Sequence, residues 1–304
     1  MIWVTFRSTY LSVQDVIASV SIGGWTGSRW FSCNVASAEN RTAFVGRVID
    51  LVTKYDLDAV DFEYVFITFA LVHISHIFPY SWEYPDKQGL GCNTISPKDT
   101  ADFLLFLQEL RNDTIGSKLI LSAATSITPF TDASGSPSKD VSAFSEVLDY
   151  IAVMNYDIWG SWSATVGPNA PLDDTCAPPA AQIGSAFSAI QAWSSAGMPL
   201  DQIVLGVPSY GHSFYVSEED AFVSGSKTVL ATYPPFDKSR QPKGDRWDGG
   251  AGVDACGQPV GIGGNWDYWG LIEGGFLDES GNVASGIIGN FDNCSQTVRT
   301  LEMN

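Results

Sequence analysis

Basic residues are scarce in this chain of 304. Sixteen Lys and Arg stand against 34 Asp and Glu, for a net charge of −18. The few cations form no cluster, so nucleic acid is excluded as a partner: nothing here would neutralise a phosphate backbone. Histidine numbers only three, and the five cysteines (Cys33, Cys92, Cys176, Cys256, Cys294) include no C-x-x-C pair. Those shortages argue against a zinc site, and we expect neither metal nor cofactor. His73 and His76 have no clear metal partners in sequence, and His212, alone after a strand, reads as structural. Met1 to Tyr10 lacks the continuous apolar core of a signal peptide. One long uncharged run exists, Tyr64 to Ser81, with 18 residues. It reaches the lower limit of a membrane span, but it contains two His, two Ser, a Thr and a Pro, and we expect no membrane partner.

What is present is an apolar core and an ordered succession of elements. Hydrophobic residues make up 45% of the chain, with 10 Trp and 11 Tyr, most of which we assign to the core. Sequons at Asn40, Asn112 and Asn293 favour an oxidising, secretory route, and Cys256 is expected to pair with Cys294. Apolar runs at Val16–Gly23, Leu57–Phe62, Lys118–Ala124, Tyr150–Tyr156 and Gln202–Tyr210 read as buried strands. Between them lie helical patterns at Asn40–Tyr55, from Ser96-Pro97 through Leu110, at Val141–Leu148 and at Pro179–Ala196. Strands alternating with helices, the strands apolar throughout, predict an α/β fold with a parallel sheet. From about Phe214 to Asp292 the pattern gives way to Gly-, Trp- and Asp-rich segments, expected to form a small α+β insertion over 214–292.

The most informative stretch is Asp58-Ala-Val-Asp61-Phe-Glu63, followed after the uncharged run by Trp82-Glu83-Tyr84-Pro85. Residues two apart on a strand share a face. With Tyr64–Ser81 removed, Asp61, Glu63 and Glu83 would form one row of carboxyls, an arrangement that raises the pKa of a member and suits acid–base chemistry.

This split acidic motif, with Ser21-Ile-Gly-Gly-Trp25, Met154-Asn-Tyr156-Asp157 and Gly206-Val-Pro-Ser-Tyr210-Gly211 in order on successive strands, resembles the chitinases of glycoside hydrolase family 18, of a fungal secreted type. The resemblance runs from about Val16 to Thr297 and implies a single catalytic domain over 1–304. The implied fold is a (β/α)8 TIM barrel with its site at the C-terminal strand ends, here incomplete, with about five strands recognisable. The implied reaction is retaining hydrolysis of β-1,4-N-acetylglucosamine linkages in chitin, with the substrate's own N-acetyl oxygen as nucleophile. By resemblance Glu83 is the proton donor. Glu63 stands where the family motif has an Asp that holds the acetamido group. Asp61 lies behind it, with Ser21 and Asp58 in support. Tyr156 would bond the acetamido oxygen, and Trp25, Tyr84, Met154, Asp157 and Tyr210 would line the sugar cleft. The implied partner is chitin or its oligosaccharides, met outside the cell by a monomer. A catalytically silent chitin-binding lectin and an endo-β-N-acetylglucosaminidase are the alternatives.

The run at 64–81 reads as a foreign insert within a barrel strand. If Glu63-Tyr64-Val65 is written GAG-TAT-GTN, it contains the donor-like GTATGT, and Tyr80-Ser81 as TAY-AGY contains an acceptor YAG. Excision would leave D-A-V-D-F-D-W-E-Y-P, the family motif intact. As written, Glu83 stands 22 positions after Asp61 instead of four, so we expect this polypeptide to be impaired. The chain is also expected to be truncated at both ends relative to the family.

Overall fold

The structure is a computed structural model that describes residues 16–24, 27–63 and 91–302. The expected insert at 64–81 lies outside the described residues. The chain divides into two compact units, residues up to 154 with 190–205, and residues 155–189 with 206 onward.

The first unit is built on five strands: β1 (Ser19–Gly23), β2 (Ala59–Glu63), β3 (Ile120–Thr125), β4 (Tyr150–Met154) and β5 (Ile203–Gly206). They join in sequential order β1-β2-β3-β4-β5. The pairs from β1 to β4 are parallel, and their register aligns Ser21, Asp61 and Ser122 across three strands. This is the expected α/β architecture, with the expected five strands.

Helices α1 (Phe31–Val35), α2 (Ala38–Tyr55), α3 (Asp99–Asn112), α4 (Ser142–Ser145) and α5 (Ala186–Ser195) follow in chain order. Helix α2 starts where Ser37 accepts the Asn40 N–H, satisfying one of the free amides of its first turn. It stops at Asp56, whose left-handed φ of 51° lets Leu57 N–H return to the Val52 carbonyl. Before α3, Asp99 accepts the Ser96 N–H at 2.8 Å and Ser96 Oγ accepts the Lys98 N–H at 3.2 Å, but the helix starts at Asp99 with Lys98 as its N-cap, two residues after the expected Ser96.

Period-two alternation sends Val60 and Phe62 of β2 into the core, both fully buried. Phe62 meets Phe103 and Phe106 edge-on at 5.9 and 5.4 Å, and the cluster continues through Phe130 to Trp193 at 5.0 Å. Trp193 also donates its indole N–H to the Ser126 carbonyl at 2.8 Å, as a buried Trp must to stay satisfied. Arg111, at the end of α3, uses its planar fork on three acceptors: the Val147 and Leu119 carbonyls, each at 2.7 Å, and Asp149 at 2.6 Å.

Three expected elements differ. The helix expected over Pro179–Ala196 is a 3-10 turn at Pro179–Ala181 and then α5, because the Ser185 and Ser188 hydroxyls take up local backbone amides and start a new helix. The helix expected over Val141–Leu148 shrinks to Ser142–Ser145. The strand expected over Gln202–Tyr210 stops at Gly206, since Pro208 has no N–H for the ladder.

The second unit is made of short antiparallel pairs. Strand β6 (Tyr210–His212) comes first, with α6 (Glu218–Ala221), β7 (Gly252–Val253), β8 (Pro259–Val260), β9 (Asn265–Asp267), α7 (Tyr268–Glu273), β10 (Ile288–Asp292) and β11 (Thr297–Leu301) after it. The pairs are β6 with β9, β7 with β8 and β10 with β11. The expected Cys256–Cys294 pairing is not found: the disulfide joins Cys294 to Cys176. The turn after β10 sits against the 170s loop, with Leu172 N–H on the Ser295 carbonyl at 2.9 Å, and that brings Cys176 within reach. Cys33 is a free, exposed thiol. Among the described residues no helix is long and apolar enough to cross a membrane.

Candidate active site

Two constellations form, one in each unit. In the first, Asp61 projects from the face of β2 opposite Val60 and Phe62. It accepts a hydrogen bond from Ser122 Oγ on β3 at 2.6 Å and one from Ser21 Oγ on β1 at 3.0 Å. The aligned register of these three positions makes the arrangement possible. Two hydroxyl donors on the carboxylate fix its orientation.

Glu63 is two residues on, at the C-terminal end of the strand and on the same face. Its carboxyl is pushed above the ordinary 4.5, first by burial and then by the neighbouring negative charge of Asp61. A carboxyl oriented by two hydroxyls next to one whose pKa is raised is the kind of differentiated pair that acid–base chemistry uses. The glycine turn after β1 makes room for it. Gly24 N–H donates to the Glu63 carbonyl at 2.6 Å, and a β-carbon at Gly23, where φ is 118°, would come within 2.5 Å of that carbonyl oxygen.

Asp58 is at the other end of β2, exposed, where Oδ2 accepts the Ala18 N–H at 2.9 Å. It ties β1 to β2 at the end away from Glu63. Met154 closes β4 and is buried. Trp25, Glu83 and Tyr84 lie outside the described residues.

The second constellation centres on Asp157. Its Oδ1 accepts the Tyr210 hydroxyl at 2.7 Å and lies 2.7 Å from His212 Nε2. Tyr156 meets the Tyr210 ring edge-on at 6.2 Å, and Trp162 meets His212 the same way at 5.4 Å. Burial above all, and then the Asp157 charge and hydrogen bond, push the Tyr210 hydroxyl far above its ordinary value, so it stays a donor. Asp157 holds a left-handed backbone, φ 56°, a conformation that Asp tolerates better than most residues.

The sequence reading thus named Ser21, Asp61 and Glu63, which come together, and Tyr156, Asp157 and Tyr210, which also come together. It missed Ser122, whose signal is a lone hydroxyl in the apolar run Lys118–Ala124. It also missed Asn169, which has no local signal and whose amide meets the Asp157 N–H and the Tyr210 carbonyl; His212, read as structural, has its ring against Asp157. Among the described residues no group of three or more His, Cys, Asp or Glu could hold a metal ion.

Residues 8–253 match the family described as Glycosyl hydrolases family 18. The chain belongs to this family. Its fold is therefore the family's (β/α)8 barrel type, to which the described residues contribute five strands. The chain is 51% identical over 284 residues to a chitinase-like effector of Moniliophthora roreri, covering 93% of this chain and 64% of that protein. It is also 51% identical to a chitinase-like effector of Moniliophthora perniciosa, covering 93% and 60%. The chain thus spans about three fifths of the length of these curated relatives. The crystal structure of a chitinase from Rhizomucor miehei superposes with a TM-score of 0.81 at 29% identity, covering 98% of this chain and 73% of that one.

Proposed function

We propose that this protein recognises chitin or its oligosaccharides, and that its family reaction is retaining cleavage of β-1,4-N-acetylglucosamine linkages, impaired in the polypeptide as written. The observation that carries this is Asp61, clamped by Ser21 and Ser122 beside Glu63, whose carboxyl burial pushes above its ordinary value. In this reading Glu63 takes the acetamido N–H and Asp61 sets its charge. Tyr156 bonds the acetamido oxygen, and Glu83 donates the proton to the leaving oxygen. Trp25, Tyr84, Met154 and Tyr210 line the cleft, with Asp157 beside them.

The impairment follows from spacing. Glu83 stands 22 positions from Asp61, and a strand that carries both at family spacing must exclude residues 64–81. We read that segment as retained intron; genomic sequence that lacks GT and AG at its borders would sink this. A second reading, a catalytically silent chitin-binding protein, is favoured by the two Moniliophthora relatives described as chitinase-like effectors. The Cys176–Cys294 disulfide supports action outside the cell, and the protein is read as a monomer.

The experiment pairs a chitin-bead pull-down with cleavage of a chitin hexamer. It compares the chain as written with a variant that lacks residues 64–81 and carries Glu63→Asp. Binding by both, with cleavage only by the variant, is expected. Comparable cleavage by the chain as written refutes impairment, and absence of binding by both refutes chitin as ligand. Binding without cleavage by either establishes the silent reading.

A further inference from the structure

The Asp157, Tyr210 and His212 cluster depends on a residue that lies outside the family motifs in sequence. Asn169 lies 12 positions beyond Asp157, in the loop after β4. Its Oδ1 accepts the Asp157 N–H at 2.9 Å, and its Nδ2 donates to the Tyr210 carbonyl at 3.0 Å. One planar amide therefore grips both partners of the Tyr210–Asp157 hydrogen bond, by their backbones.

The grip matters because of the Asp157 backbone. At φ 56° the Cα–Cβ direction aims the carboxylate so that one oxygen receives both Tyr210 and His212. Left-handed backbone is unfavourable for a non-glycine residue and persists where its surroundings impose it. The Asn169 acceptor on the Asp157 N–H is such an imposition.

We propose that Asn169 is a positioning residue, which holds Asp157 left-handed and Tyr210 in register so that the two side chains and His212 form one hydrogen-bonded unit. The consequence for sugar binding rests on the reading that this cluster meets an N-acetyl sugar; the positioning itself does not.

The test is Asn169→Ala. The loop keeps other anchors, since the Asn169 carbonyl accepts the Ile158 N–H at 3.1 Å and Asn155 Nδ2 donates to the Pro171 carbonyl at 3.0 Å. Neither bond uses the Asn169 side chain, so the variant is expected to fold. With three histidines in the chain, the His212 ring nitrogens can be followed by 15N NMR and assigned with His212→Gln. In Asn169→Ala the His212 Nε2 shift, which reports the bond to Asp157, is expected to move, and chitin-hexamer affinity by calorimetry to fall about tenfold, the equivalent of one lost hydrogen bond. Asn169→Asp keeps the acceptor for Asp157 and loses the donor to Tyr210, so its shift and affinity should fall between the two; it also serves as the test if Asn169→Ala does not fold. A wild-type His212 shift in the folded variants overturns the proposal. A moved shift in a protein whose wild type binds no chitin hexamer upholds the positioning role and refutes the sugar reading.

Discussion

Removing the Ser122 hydroxyl tests the carboxylate clamp directly. Ser122 is 3% exposed and donates to Asp61 at 2.6 Å, so no water replaces it without cost. A hydrogen bond to a charged acceptor is worth about 1.5–3 kcal/mol, and Ser122→Ala should destabilise the protein by about that amount. Ser21 makes the matching bond at 3.0 Å from an exposed position, where water can substitute. Ser21→Ala should cost about 0.5–1 kcal/mol. Urea denaturation of each variant, and of each combined with Asp61→Asn in a double-mutant cycle, gives the pair terms. The expected Ser122–Asp61 coupling is about 1 kcal/mol or more, and larger than that of Ser21–Asp61. Equal costs for the two serines, or a Ser122–Asp61 coupling indistinguishable from zero, would refute the clamp. The same Asp61→Asn variant should bring the Glu63 carboxyl part of the way back toward its ordinary value. Full return is not expected, because burial, and not the Asp61 charge, is the larger cause of the shift.

The raised Glu63 carboxyl predicts a pH effect: its own contribution to stability is fully present below the unfolded-state value near 4.5 and is lost as pH rises through the folded one. Glu63→Gln should flatten that fall, seen as a smaller difference in Tm between about pH 4 and 7 than the wild type shows. Replacing both Cys176 and Cys294 by Ser opens a link between positions 118 apart and should cost about 2–4 kcal/mol in denaturant unfolding. Arg111→Lys keeps the charge but cannot reach three acceptors at once; we expect a loss of about 2 kcal/mol or more by thermal melting, well beyond a surface ion-pair change.

The first unit was legible because its chemistry is local and periodic. Asp61 and Glu63 share a face since they are two apart, and Val60 and Phe62 take the other since the core requires it. Ser21 was named only through the family resemblance, and Ser122 was not legible, because both depend on register: they reach Asp61 only when β1, β2 and β3 align. Likewise Cys176 and Cys294, or Asn169 and Tyr210, meet across long stretches of chain with no periodicity to link them. Where short elements were expected as longer ones, as at Pro179–Ala196, hydroxyl side chains had taken the backbone amides that a continuous helix needs.

The Asp-rich stretches held a signal of a different kind. Asp132-Ala-Ser-Gly135, Asp254-Ala-Cys-Gly257 and Asp278-Glu-Ser-Gly281 repeat one pattern. In each, the glycine N–H returns to the Asp carbonyl at 2.9–3.0 Å with φ between 78° and 81°, and the Asp N–H bonds the carbonyl four residues on. That is a tight turn closed by a left-handed glycine, which joins antiparallel segments such as β7 and β8. The Asp side chains take part: Asp254 accepts the Cys256 and Gln258 amides, and Asp278 those of Ser280 and Asn282. Hydrogen bonds hold several such carboxyls below their ordinary range, led by a serine hydroxyl at Asp132, Asp140 and Asp237 and by backbone amides at Asp113, Asp173 and Asp278. Stability contributed this way is present above the unfolded-state value and lost only as pH falls through the lower folded one. Much of the acidic excess therefore closes turns, and the net charge of −18 describes how the loops are built more than what the protein binds.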